Sequence, residues 1–287
     1  MIRKKNFAWR FITLILYRER SVVINRFYSC LTNKDLSVQR SNSLIDTVEN
    51  ILRTLSPHGT NYSLERIGGI NDGSYVLPTI FCNSDHFLIS GGIENNNNFE
   101  FEMAATGVTG IQVDNSIDKP PKIHPNLDFV RKTISNQEGR ENITLSELII
   151  QAPRDRKLIL KLDIEGAEIA ALNQLQQHEL EQFECLLLEL HDLSEIENKQ
   201  FAKTLNELLQ KLQRSFISVF VQANNACLAY NLSGTLIPDN IEVTFVKKEL
   251  SKKLESHHVH RIRELTSRNR EDFANINIDH FLYRHLI

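Results

Sequence analysis

The feature that most constrains this chain is the run Lys157-Leu158-Ile159-Leu160-Lys161-Leu162, which stops in Asp163-Ile164-Glu165-Gly166-Ala167-Glu168. A run this apolar reads as a strand covered on both faces, the pattern of a parallel strand inside an α/β sheet. Ile169, Leu172 and Leu175 then recur at helical spacing, so a helix follows directly. In open α/β sheets, ligands sit at the carboxyl ends of the strands. Carboxylates are costly to hold at such a place unless something there uses them. Side chains alternate along an extended chain, which puts Asp163 and Glu165 on one side. Glu165 and Glu168 would also suit the positive end of the following helix, an explanation that leaves Asp163 unaccounted for.

The plan repeats along the chain. Phe183 to Leu188 is nearly continuous in apolar residues and leads into Glu189, His191 and Asp192. Upstream, His86 to Ser90 predicts a strand, Gly91-Gly92-Ile93-Glu94 a turn, and Asn97 or Asn98 the start of a helix covered by Phe99, Phe101, Met103 and Ala104. Strand, glycine turn and helix make the first unit of a nucleotide-binding fold, in which the glycines let the backbone approach a ligand. The next strand, from Gly110, ends in Asp114, about 20 residues beyond the turn, where such folds place an acid on ribose hydroxyls. Asp114 can equally open the turn before Asn115. Leu127 to Val130 predicts a third strand. Thr144 and Glu147 form a capping box for the helix after it. Phe201, Leu205, Leu208, Leu209 and Leu212 mark an amphipathic helix. Phe216 to Val221 predicts a strand leading into Gln222, Asn224 and Asn225. Ile241 to Val246 alternates and reads as a last, antiparallel strand.

At the amino end, Leu44, Ile45, Val48, Ile51, Leu52 and Leu55 predict a helix closed by Pro57-His58-Gly59. Residues 1–43 read as a basic helical appendage and linker, 44–250 as the main domain and 251–287 as a helical extension. The appendage carries Arg3, Lys4, Lys5, Arg10, Arg18, Arg20 and Arg26 among Phe7, Trp9, Phe11 and Phe27. Such a segment docks as an ordinary helix, the favoured expectation, or makes peripheral contact with an anionic membrane. The stretch Phe11 to Tyr17 is far short of the ~20 residues of a membrane span, and no secretory cleavage pattern follows it. A net charge of −3 implies no general attraction to nucleic acid. Four cysteines, Cys30, Cys82, Cys185 and Cys227, lack paired spacing, as suits reduced thiols and a cytoplasmic setting. His257, His258 and His260 do not share one helix face, so a solvated helix is expected there rather than a metal site.

Polar groups therefore collect at successive strand ends, an arrangement suited to an adenosyl ligand over the first two strands and a reacting group over the fourth and fifth. The segment Leu160 to Glu168 resembles the LKIDIEGAE signature of FkbM-like S-adenosylmethionine-dependent methyltransferases. Asp72-Gly73-Ser74-Tyr75-Val76-Leu77 is similar to a DGGYVL element of related proteins. The resemblance takes in Gly92-Ile93-Glu94 with Phe99-Glu100, Glu189-Leu190-His191, Asn224-Asn225, Ile237-Pro238-Asp239 and Glu242-Val243-Thr244, and so runs from Leu64 to Val246. It departs from the pattern at Asn95 to Asn98, which stretch the glycine motif, at Asn115-Ser116, where a proline is common, and at Gln222, where histidine is frequent.

The resemblance implies a class I methyltransferase (Rossmann-like) fold: α/β, a seven-stranded sheet that is mostly parallel with a late antiparallel strand, and helices on both faces. It implies a methyltransferase domain over 44–250 and O-methylation of a hydroxyl on a sugar, glycan or related small molecule. S-adenosylmethionine is the expected cofactor, with Gly91, Gly92, Glu94, Asp114 and Asp163 as its contacts. Asp163, Glu189 and His191 are expected to converge on the acceptor, with His191 as base; the same three would hold a Mg²⁺-like ion. Arg66, Asp72, Tyr75, Glu165, Asn224 and Asn225 are the candidate substrate contacts. Two rival readings stay open from sequence: a metal-dependent glycosyltransferase using Asp163 and Glu165 on a nucleotide sugar, and a non-catalytic protein that keeps the fold.

Overall fold

The apolar runs become the strands of one sheet in the computed structural model, which describes residues 42–232 and 235–278. They are β1 (His86–Gly91), β2 (Thr109–Val113), β3 (Leu127–Val130), β4 (Lys157–Leu162), β5 (Phe183–Leu190), β6 (Phe216–Ala223) and β7 (Ile241–Lys247). Their order across the sheet is β3-β2-β1-β4-β5-β7-β6. Neighbours pair in parallel except at β7, which runs antiparallel to both β5 and β6. This is the seven-stranded, mostly parallel α/β sheet with a late antiparallel strand expected of a class I methyltransferase. Every residue of β1 is buried, as is every residue of β4 after Lys157, which is why these strands read as mostly apolar runs.

The helices follow from equally local signals. The longer ones are α1 (Asn42–Leu55), α2 (Asn98–Ala105), α3 (Leu145–Gln151), α4 (Glu168–Gln174), α5 (Lys199–Ser215) and α6 (Ser256–Leu265). Thr144 caps α3, with both hydrogen bonds of the capping box to Glu147 in place. α5 turns Leu205, Leu208, Leu209 and Leu212 inward, and α1 and α4 both pack against it.

The helix expected to be solvated, α6, instead docks through Val259 and Ile262, both buried. An i, i+3 apolar pair suffices to seat a helix whose other positions are charged. From the end of α6 the chain returns to the carboxyl end of the sheet: Arg66 Nε donates to Leu265 O at 2.9 Å, and Arg270 N donates to Asn225 Oδ1 at 2.9 Å. The described residues belong to one compact unit that begins at Asn42. The expected basic appendage lies almost wholly outside the described residues. Among these residues no helix is long and apolar enough to cross a membrane, and Cys82, Cys185 and Cys227 are free thiols.

Candidate active site

After β1 the chain turns outward to β2 and β3, then crosses back to lay β4 on the other side of β1. The crevice outside the carboxyl ends of β1 and β4 is therefore the switch point where a ligand is expected. Gly92 stands there with φ of 76°, and a Cβ on it would lie 1.7 Å from the carbonyl oxygen of Asp163. A Cβ on Gly91 would meet Ile134 Cδ1 at 2.4 Å. These glycines thus permit the close approach of β4 and of Ile134, a packing demand that stands beside their expected role of letting the backbone approach a ligand. Lys161, buried, donates to the carbonyl oxygens of both Gly91 and Gly92.

Asp114 binds this turn from the neighbouring strand. Its Oδ2 accepts from Ile93 N at 2.9 Å and Glu94 N at 2.8 Å. Its Oδ1 accepts from Ser116 N at 2.7 Å and Ser116 Oγ at 2.6 Å. Burial works to raise its pKa, but the hydrogen bonds from Ser116, Glu94 and Ile93 prevail and hold it below the ordinary carboxylate value. The turn-forming reading of Asp114 is therefore realised in full. Glu94, next to it, is exposed and has φ of 40°.

The second half of the site surrounds His191. Its Nδ1 lies 3.1 Å from Glu168 Oε1, and its Nε2 lies 3.8 Å from Asp163, 3.9 Å from Glu165 and 3.8 Å from Glu189. Burial alone would depress the ring's pKa, but Glu168, Glu189 and Asp163 around it raise it to about 10. The surrounding carboxylates thus favour the imidazolium, whereas the expected role as base needs the neutral ring. Glu189 is pushed well above the usual carboxylate range by burial, with Asp163 and Glu242 adding to the effect. Tyr75, also buried, donates its hydroxyl to Asp163 Oδ2 at 2.9 Å.

Asp163 and Glu165 were expected on one side of an extended chain. The chain in fact turns at Glu165, with φ of 57°, and again at Gly166, with φ of 96°. Glu165 is left largely exposed while Asp163 stays mostly covered, yet both still reach His191. The residue that sequence reasoning undervalued is Glu168, read only as a helix-terminal charge. It is fully buried, and it accepts from Ile164 N at 2.7 Å and Gly166 N while facing His191.

Further along the strand ends lies a second group of acids. Glu189 and Glu242 are direct partners across β5 and β7, and Gln222 faces Glu242 from β6. Glu189 Oε1 accepts from Asn224 at 2.8 Å and Asn240 at 3.2 Å. Glu242 accepts from Gln222 at 2.8 Å and from Asn269 at 2.5 Å, and Asn269 also donates to Asp72 at 3.0 Å. Burial raises Glu242 to about 7 against the pull of Asn269, Arg66 and Gln222. Glu242 entered the sequence reading only within the resemblance, as part of Glu242-Val243-Thr244; Asn269, far along the chain, carried no signal.

Two expected substrate contacts are held elsewhere. Arg66 donates to Leu265 O, to Ser74 and to Gln222. Asn225 gives both amide hydrogens to the carbonyls of Arg270 and Phe273. Both act as struts for the C-terminal segment. Tyr75, Asp72 and Asn224 do reach the acidic cluster. A cavity of about 500 Å³ lies at another place, lined by His58, Tyr62, Lys252, His257, His258 and Arg261. The functional groups define the site more securely than that volume does.

The segments that carry Asp72, Tyr75, the glycine turn, Asp114, Asp163, Glu189 and His191 fall inside the residues, 69–216, that match the family model "Methyltransferase FkbM domain", just over half of the chain, while Arg66, Asn224, Asn225 and Glu242 lie outside them. No curated protein matches the sequence. Solved structures similar to the chain include a fibrillarin/Nop5p complex, at 9% identity over 57% of this chain and 74% of that one, with a TM-score of 0.36. Another is an rRNA methylase from Streptococcus thermophilus, at 10% identity over 59% and 90%, with a TM-score of 0.32. A third is a dimethyladenosine transferase from Plasmodium falciparum, at 12% identity over 60% of each chain, with a TM-score of 0.33. The assignment rests on the family match and not on these distant likenesses, and it sets aside the glycosyltransferase reading. With the glycine turn, the strand-end acids and the family match together, the chain belongs to the FkbM methyltransferase family and is an S-adenosylmethionine-dependent methyltransferase.

Proposed function

We propose that this methyltransferase acts on a hydroxyl of a sugar, glycan or related small molecule in the cytoplasm. The observation that carries the reading is the convergence of Asp163, Glu165 and Glu189 within 3.9 Å of one imidazole nitrogen, beside the glycine turn. A polyol offers several hydroxyls, and carboxylates at strand ends are the acceptors that orient them.

The residues present fit S-adenosylmethionine. The turn Gly91–Glu94 is braced by Asp114 from one side and Lys161 from the other, and the surplus of carboxylates suits a positively charged ligand. Because Asp114 already accepts four hydrogen bonds within the chain, the exposed Glu94 takes the ribose contact while Asp114 builds the turn. Gly91, Gly92 and Asp163 line the same crevice. When bound, the cofactor supplies an electrophilic methyl group.

The chain's own residues prepare the acceptor. Tyr75 occupies Asp163 Oδ2, so Oδ1 is the oxygen that receives the acceptor's proton. Glu189, held by Asn224 and Asn240, orients the hydroxyl. His191, fixed by Glu168, keeps its positive charge among the acids and steadies their arrangement. The base is thus Asp163, with His191 as its electrostatic partner. One ligand atom from each of Asp163, Glu189 and His191 lies within 4.8 Å of the others, but a protonated His191 has no lone pair to offer, so a Mg²⁺-like ion would bind there only with the ring deprotonated.

Calorimetric titration of the full chain with S-adenosylmethionine, a nucleotide sugar and NAD tests the cofactor, and methyl transfer to a panel of polyols tests the acceptor. Asp163→Asn is expected to abolish turnover while leaving S-adenosylmethionine affinity unchanged. Full activity in that variant would remove Asp163 from the mechanism.

A further inference from the structure

We infer that Lys161 and Tyr75 act as one pair of positioning residues for the cofactor, the face of the Tyr75 ring holding the Lys161 ammonium against the carbonyls of the glycine turn. This rests on the reading above in taking the turn Gly91–Glu94 as the wall that receives S-adenosylmethionine.

A lysine inside a sheet is costly unless polar groups receive its charge. Lys161 is the one buried charged residue of β4, at 3% exposed. Its Nζ donates to Gly91 O at 3.3 Å and to Gly92 O. Gly91 O also accepts from Asp163 N at 3.1 Å, so the carbonyl that depends most on Lys161 is that of Gly92. An ammonium has three hydrogens to place. The remaining contact is with Tyr75, whose ring centroid lies 5.3 Å from Nζ, inside the ~6 Å reach of a cation over an aromatic face. Such a contact is strongest where water is excluded, and Tyr75 is itself only 4% exposed.

The ring is clamped, so its face has a fixed direction. Its hydroxyl donates to Asp163 Oδ2 at 2.9 Å, and it meets Phe99, in the first turn of α2, edge to face at 5.2 Å. Tyr75 thus does two separable things. Its hydroxyl holds Asp163, while its face holds Lys161 and, through Lys161, the turn. Lys161 and Asp163 stand two residues apart at the end of β4, and Tyr75 reaches both. The rise that burial gives the pKa of Glu100 is opposed by Lys161, which places that buried carboxyl near the same charge. Without Lys161, Gly92 O loses its donor and the turn is free to shift away from the position that β1 and β4 set for it.

The test is calorimetric titration of the full chain with S-adenosylmethionine, with circular dichroism reporting whether each variant folds. Lys161→Met keeps the length of the side chain and removes its charge. Affinity should fall at least about tenfold there, because small misplacements at a binding turn are amplified. Tyr75→Leu, which removes the ring, should lose as much, whereas Tyr75→Phe, which removes only the hydroxyl, should bind the cofactor as the wild type does. The double variant Lys161→Met with Tyr75→Leu should lose no more than the weaker-binding single one, since residues that act as a unit are not additive. Losses that multiply would mean that each side chain merely packs, and would overturn the inference. Unchanged affinity in folded Lys161→Met, or weakened binding in folded Tyr75→Phe, would do the same. Should Lys161→Met fail to fold, equal affinities in Tyr75→Leu and Tyr75→Phe overturn it instead. A wild type that binds no S-adenosylmethionine removes the proposed function and this inference with it, whereas a wild type that binds it beside a folded Lys161→Met of equal affinity removes this inference alone.

Discussion

Glu168 Oε1 lies 3.1 Å from Nδ1 of His191, while the ring's other nitrogen faces the carboxylates of Asp163, Glu165 and Glu189. A helix-terminal glutamate thereby fixes the orientation of the histidine that organises the strand-end acids. The same carboxylate ties down the loop between them through Ile164 N and Gly166 N. One side chain couples the end of β4 to the end of β5.

Replacing Glu168 by Gln removes the partner of a buried imidazolium. Stability is expected to fall by about 3 kcal/mol, the scale for breaking one side of a buried ion pair. Urea denaturation measures the loss. A variant as stable as the wild type would mean that the pair does no structural work.

His191 itself should carry its proton well above neutral pH. Its folded-state value, about 10, lies above the ordinary histidine value of 6.5. The stability it contributes is therefore whole below about pH 6.5 and is lost as pH rises through about 10. Nitrogen-15 spectra of the ring at pH 8 are expected to show both nitrogens protonated. A neutral ring at that pH would restore His191 as a base and displace Asp163 from that role.

Asp114→Ala leaves the amides of Ile93, Glu94 and Ser116 without their acceptor. Each stranded donor costs about 1–3 kcal/mol where water cannot reach it. The loosened turn should weaken S-adenosylmethionine binding by about tenfold or more, because small misplacements at a binding turn are amplified. Calorimetry that finds the affinity unchanged would dissociate Asp114 from the cofactor altogether.

Gly92→Ala tests the contact between β1 and β4. The new methyl would lie 1.7 Å from the Asp163 carbonyl oxygen on a backbone with φ of 76°. Left-handed strain and overpacking together predict a loss of at least about 3 kcal/mol. Thermal unfolding near the wild-type temperature would show that the strand ends can part without cost.

By itself the sequence determined the strands, because burial on both faces requires runs dominated by apolar residues such as Lys157 to Leu162 and Phe183 to Leu190. It also determined that acids close these strands and that Thr144 and Glu147 cap a helix, since both are local matters of spacing. Tertiary structure alone decided what those acids meet. Alternation placed Asp163 and Glu165 together, but the left-handed turn at Glu165 separated their exposure. Charge patterning gave Glu168 to the helix terminus, whereas packing against β5 gave it to His191. Asn269 shares Glu242 and Asp72 across long stretches of chain, and Arg66 and Asn225 turn from the cleft to hold that same C-terminal segment. Periodicity is a property of neighbours in sequence, while the partners of a buried charge are chosen by whichever distant elements close over it.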